Sequence, residues 1–295
     1  MRTSALLLLA SLLVAFGPIG AAAAPADTIY VDTSAASEGD GSSWSSPETS
    51  LPDALAAAAS GDVVLVDQDT YDGPVTVPEG VTLEGSYTAN TSQPLERMLD
   101  AGQKTVLTGD TDGDGTGDIS GVVTLNNSTG TPTTLDGVRV TKGTGQGIGE
   151  EGSGTAITAE GSGSSNIYRV EAIDNDAGWS TVDVEGDVDI ASSLFAKDTT
   201  RSGAIVQATD WTGTVDRATF ADNEGKAIYA VNSGSGVIQN SLFESNTPFR
   251  LEESLGEITL DGVVREIGGD LYEGTDHFAN GINNSQGFDG QISKI

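Results

Sequence analysis

Four short segments of this chain can be laid over one another: NIYRVEAIDN, VDIASSLFAKD, TVDRATFADN and VIQNSLFESN. They close on Asn175, Asp198, Asn223 and Asn246, at steps of 23, 25 and 23 residues. A second series, AITAEG, TVDVEG, AIVQAT, AIYAVN and FRLEES, runs out of phase with the first. Its apolar markers Ile157, Val182, Ile205, Ile228 and Leu251 stand 25, 23, 23 and 23 residues apart. Two interleaved series with one period mean that the backbone returns to the same place every 23 or so residues. Such self-similarity marks a solenoid, because one repeat cannot bury its apolar face alone.

Inside a repeat the short runs alternate apolar and polar, as in Thr181-Val182-Asp183-Val184-Glu185. That is a strand with one face buried and one wet. Gly, Asn, Asp and Ser separate the runs, as turns require. No amphipathic helix is predicted from Gly154 to Gly268, so strands alone must build each coil and a parallel β-helix is expected. Leu194, Phe195, Phe220, Leu242 and Phe243 supply bulk for its interior stack. The recurrent Asn/Asp position has two readings. Stacked amides can hydrogen-bond from coil to coil at a tight bend, where Asn tolerates left-handed backbone angles. A row of metal or sugar ligands is the other. TTLDGVRVTKG and ITLDGVVREIGG are also alike, which sets Gly143 and Gly268 at the same bend near the two ends of the series.

Arg2, the apolar run Ala5 to Phe16, the Gly17-Pro18 break and small residues Ala21 to Ala26 read as a Sec-type signal peptide over residues 1–26. The run is shorter than the roughly 20 residues needed to span a bilayer. No later segment offers a transmembrane anchor, so a secreted or cell-surface protein of prokaryotic type is expected. There is no cysteine, hence no disulfide framework and no thiolate chemistry. Thirteen Lys+Arg against 44 Asp+Glu leave a net charge of −31. A surface so acidic disfavours nucleic acid and anionic membrane as partners. The charge reads as a solvating coat, or as adaptation to a saline habitat where salt screens the repulsion.

Residues 27–60 differ in character. TIYVD reads as a strand, EGDGSSW as a polar turn carrying Trp44, and SLPDALAAAASGD as a short helix. Ser50 suits its N-cap, Pro52 and Asp53 its first turn, and Gly61 its end. A helix there would cover the open end of a solenoid, with Trp44 as part of the plug. Residues 61–269 then form the β-helix, and 270–295 an irregular C-terminal segment.

The motifs IYVD, GDGSSW, LPDALAAAASGDVVLV, VTLEGSY, TVLTGDTDGDG and TTLDGVRVTKG occur in an order that resembles the secreted right-handed parallel β-helix proteins of the pectin-lyase-like superfamily. The bacterial group related to chlamydial polymorphic outer-membrane proteins is the most similar. The resemblance covers residues 28–143 by motif and 154–268 by repeat character, and implies an all-β, right-handed solenoid; residues 61–268 at about 23 to a coil give about nine coils. The chain departs from the pattern at Asp69 and Ser86, where Gly is usual, and lacks the barrel of autotransporting members.

One local motif carries a mechanism. Asp110, Asp112, Asp114 and Asp118, with Gly115 at the sixth position, match most of a calcium loop. Gly121 stands where the bidentate Glu belongs, so an acidic, glycine-rich turn is the competing reading. The only histidine, His277, lies beyond the repeats with no nucleophile elbow beside it. The polygalacturonase set is absent. Lyases of the superfamily use calcium with an Arg or Lys base, and by resemblance Arg169 and Arg217, at similar places in successive repeats, are the candidates. The leading expectation is a non-catalytic protein offering a regular face to polysaccharide or cell-surface glycans. A calcium-dependent polysaccharide lyase or a hydrolase is the alternative, and a structural envelope component the third. Nothing in the sequence specifies an oligomeric state.

Overall fold

The computed structural model describes residues 26–89, 97, 99, 104–127, 130–145, 154–232, 234–247, 251–253, 257–267, 270–279, 283–284 and 291–294. Residues 1–25, within the expected signal peptide 1–26, and Gly268 lie outside them. The chain winds as a parallel β-helix with three strands to a coil, one in each of three parallel sheets. Among the described residues nine strands stack in the first sheet, from Thr28–Val31 to Glu257–Ile267. Seven of these coils, from Val63–Asp67 to Ser235–Gln239, continue through all three sheets.

Equivalent side chains fall into columns, because parallel in-register pairing brings the same repeat position back about 4.8 Å along the axis. One interior column runs Leu83, Leu135, Ile167, Ile190, Val215, Ile238, Leu260. In the second sheet the column Leu107, Val140, Ala172, Phe195, Phe220, Phe243 ends in three rings, stacked at 4.8 and 4.7 Å. The third sheet carries Val123, Ile157, Val182, Val206, Ile228 and Leu251. Ile205, expected as a marker in that column, is displaced by one. A register shift between Thr199 and Ala204 hands its place to Val206, and both residues are buried.

The Asn/Asp position is a hydrogen-bonded ladder at the bend between the second and third sheets. Gly143 N donates to Asn175 Oδ1, Asn175 N to Asp198 Oδ1, Asp198 N to Asn223 Oδ1 and Asn223 N to Asn246 Oδ1. The left-handed angles fall elsewhere than expected. They belong to the residue before each rung: Lys142, Asp174, Lys197, Asp222 and Ser245, with φ of 51–59°. This residue, exposed at every bend but that of the half-buried Lys142, makes the turn while the rung points inward. Ser86, standing where glycine is usual, likewise takes φ 68°, with its Oγ donating to the Gly137 carbonyl.

The 23-residue step holds late in the chain and fails early. Thr82 pairs with Thr134, more than two ordinary steps on, because the second coil carries two long excursions. One follows Tyr87; the other is the acidic turn between Thr108 and Val123.

The helix spans Leu51–Ala57, with Ser50 Oγ accepting from Asp53 N. It buries Leu51, Ala54 and Leu55 against the first strands. It ends before Gly61, which instead turns the chain at φ 100° into the next strand. Trp44 packs edge-on to Tyr30 and beside Tyr87. The segment 270–295 is not irregular where it is described. Asp270–Ala279 pairs antiparallel with Glu257–Ile267, and Gln291–Lys294 pairs with it in turn. His277 falls in that hairpin, opposite Thr259. A last coil leaves an unpaired edge, and a strand folding back on it satisfies those groups.

Candidate functional site

The outward face of the first sheet is a row of side chains at one register: Glu84, Asp136, Tyr168, Ala191, Asp216, Gln239. Alanine in the middle of that row leaves a gap. The result is an open groove of about 370 Å³ between Tyr168 and Asp216, with Asp189 and Thr214 beside it and Arg169, Ser192 and Arg217 on its rim. The rim residues take left-handed angles at the bend into the second sheet, with φ of 52–55°. That geometry is why both arginines project outward, from bends two coils apart with Ser192 between them, and meet at one groove although 48 positions of sequence separate them.

Each arginine is held by a carboxylate. Arg169 Nη2 pairs with Asp136 Oδ2. Arg217 Nη1 lies 2.7 Å from Asp216 Oδ2, and its Nε reaches Ser192 Oγ at 3.4 Å. The Tyr168 hydroxyl donates to Asn166 Oδ1 at 3.0 Å, and burial with the nearby Asp189 and Asp136 pushes its phenol pKa upward.

Beside the groove the sheet corner gathers cations around two carboxylates. Asp136, only 3 % exposed, also accepts from Arg97 Nη1 at 2.9 Å. One coil position away, Arg139 donates twice to Glu171 Oε2, and Lys104 Nζ lies 3.4 Å from Glu171 Oε1. Four of the chain's thirteen cations thus lie against two carboxylates, and with Glu84, Asp189, Asp216 and Arg217 on the same face the charges there are balanced, on a molecule carrying −31. Arg97 and Lys104 come from the excursion after Tyr87, which has no repeat signal; the sequence offered no sign of their role.

The acidic turn sits apart, between the second and third sheets of the second coil. Carboxylate oxygens of Asp110, Asp112 and Asp118 lie within 4.8 Å of one another. Asp114 does not join them: its Oδ1 accepts from Thr116 N and Oγ1. Main-chain N–H groups fill much of the turn's acceptor capacity, Gly113 and Gly115 donating to Asp110, and Thr111 and Asp112 to Asp118. A Cβ on Gly109 or Gly117 would stand 2.2 Å from the Lys142 carbonyl, so glycine is required where the turn presses on the next coil.

On the outward face of the third sheet, Glu160, Asp183 and Glu185 line a third depression, away from the arginines. Burial, followed by the charges of Glu160 and Glu185, raises the Asp183 pKa to about 6.

No family model matches this chain, and no curated protein matches it. Solved structures do. A pectate lyase, Pel9A, is 12 % identical over 75 % of this chain, with a TM-score of 0.33; the chain spans 55 % of that enzyme's length. A pectin methylesterase from Aspergillus niger is 13 % identical, at 84 % of this chain and 87 % of its own, with a TM-score of 0.35. An alginate lyase from Paenibacillus sp. str. FPU-7 is 14 % identical, at 68 % and 93 %, with a TM-score of 0.28. Each likeness is one of fold alone. No helix among the described residues is long and apolar enough to cross a membrane.

Proposed function

We propose that this is an exported β-helix protein that binds glycan along the outward face of its first sheet without transforming it. The groove opened by Ala191 carries the reading. It offers an aromatic wall in Tyr168, hydrogen-bonding groups in Asp189, Thr214 and Gln239, and two guanidinium groups at the rim. A sugar ring presents an apolar face and a rim of hydroxyls, and those groups match both. The cations gathered there offset the acidic groups of this face, so an acidic sugar meets less repulsion than elsewhere on the molecule.

Arg169 and Arg217 serve this reading better than the lyase alternative. A guanidinium is protonated at any ordinary pH, and each of these is paired with a carboxylate. A base for carbon-bound proton abstraction needs the opposite. Charged and fixed, they suit recognition of a carboxylate or hydroxyl pair. We propose further that the Asp110, Asp112 and Asp118 turn takes calcium, with low affinity because no bidentate glutamate completes it. The kinship with chlamydial polymorphic outer-membrane proteins, the export signal and the cell-surface location belong to the same proposal and rest on the sequence motifs.

The test is titration with neutral and uronate oligosaccharides of rising length, alongside polymer incubations with and without calcium. Affinity should grow with length, as weak contacts along a repeating face accumulate. It should fall in Tyr168→Ala, Arg169→Ala and Arg217→Ala. Sustained release of unsaturated product, lost in either arginine variant, would establish the lyase instead. Failure to bind any glycan leaves the structural envelope role.

A further inference from the structure

One rung of the polar ladder is unlike the rest. Asn175, Asn223 and Asn246 each donate an Nδ2–H to a main-chain carbonyl three residues before the preceding rung: Val140, Phe195 and Phe220. Asn175 and Asn223 also donate Nδ2–H onward, to Asp198 Oδ1 and Asn246 Oδ1. Asp198 occupies the same position with no N–H to give. Its Oδ1 is used as the asparagines use theirs, accepting from Asn175 N and Nδ2, both at 2.9 Å. By the register of the ladder its Oδ2 corresponds to an asparagine Nδ2, and the positions equivalent to that amide's two acceptors are the Ala172 carbonyl and Asn223 Oδ1. Asp198 is 0 % exposed, and Oδ2 has no hydrogen-bond partner.

An ionised carboxylate there would set a full negative charge against two oxygens in a dry interior. A carboxylic acid would supply the missing donor at no cost in shape. We propose that Asp198 is a neutral acid in the folded protein, its Oδ2–H completing the ladder toward the preceding or following coil, and that its ionisation makes this rung a pH-sensitive seam in the solenoid.

Charges surround the seam but stay in water. Asp174 and Asp176 flank Asn175 on the preceding coil, Asp222 and Glu224 flank Asn223 on the following one, and Lys197 precedes Asp198; all five are exposed. Burial raises the Asp198 carboxyl well above its ordinary 3.8, Asp174 adds to the rise, and the two bonds from Asn175 oppose it. The folded state therefore binds the proton more tightly than the unfolded chain. The stabilisation is complete below about pH 4 and is lost as pH climbs toward the folded value.

The experiment is thermal and urea unfolding of the intact protein and of Asp198→Asn across pH. The amide restores the missing donor without a titration. The variant should melt above the wild type at alkaline pH, with the gap closing towards acid. Within the window, the ratio of the two unfolding constants should change by up to about tenfold per pH unit. A gap independent of pH, or a variant that melts lower at alkaline pH, overturns the proposal. Infrared difference spectroscopy gives a second readout that does not depend on stability. At about pH 6, where ordinary carboxyls are ionised, the wild type should keep a buried carboxylic C=O band that Asp198→Asn lacks. Identical spectra overturn the proposal as well.

Discussion

Replacing Phe220 with alanine should cost more than the same change at its column neighbour Phe195. Its ring lies 4.8 Å from Phe195 at an interplanar angle of 20° and 4.7 Å from Phe243 at 9°. All three are at most 1 % exposed. Truncating a buried phenylalanine costs about 3–5 kcal/mol, and the value within that range depends on how far the site can collapse. Here the coil spacing holds the two flanking rings apart, so the cavity persists and about 5 kcal/mol is expected. Phe195, whose other column neighbour is the small Ala172, should lose about 3–4 kcal/mol. Each stacked pair carries about 0.5–1.5 kcal/mol beyond the area it buries. A double-mutant cycle should therefore give coupling in that range for Phe195 with Phe220, and within about 0.5 kcal/mol of zero for Phe195 with Phe243. The assay is urea unfolding followed by circular dichroism and by tryptophan fluorescence. The two probes must coincide, since repeat arrays can lose two-state cooperativity. Equal coupling in both cycles, or a Phe220→Ala loss below about 2 kcal/mol, would refute the column as the source of rigidity.

Calcium should raise the unfolding temperature by mass action, and Asp110→Ala with Asp112→Ala should remove that increment; an equal rise in the variant would assign the effect to general screening of the −31 charge. Monovalent salt should stabilise the wild type steeply as the Debye length falls below about 10 Å, and a melting temperature indifferent to sodium chloride would count against a saline habitat. Asp183, raised to about 6 by burial and its acidic neighbours, is a group whose stabilisation is full below 3.8 and lost as pH rises through about 6. Asp183→Asn should accordingly gain up to about 3 kcal/mol at pH 8 and nothing near pH 3; a gain of equal size at both would show that titration is not the cause.

The period, the strands and the identity of the columns were legible in the sequence. In-register stacking returns each repeat position to the same place, so Phe195, Phe220 and Phe243 and the ladder from Asn175 to Asn246 could be aligned by counting. The helix at Leu51–Ala57 could be found from its cap and its small residues. Counting fails wherever the coil is interrupted. The bulge between Thr199 and Ala204 moved the interior position from Ile205 to Val206, and the excursions of the second coil are invisible to a repeat search. Only the wound chain sets Arg169 and Arg217 on one groove, because their meeting depends on a small Ala191 between two larger side chains on adjacent coils. Only it brings Arg97 and Lys104 from an excursion onto Asp136 and Glu171, and turns Asp114 away from the other three carboxylates of its loop. Repetition writes its geometry into the sequence as spacing. Contacts made by departures from the repeat depend on where the chain comes back, and no spacing records that.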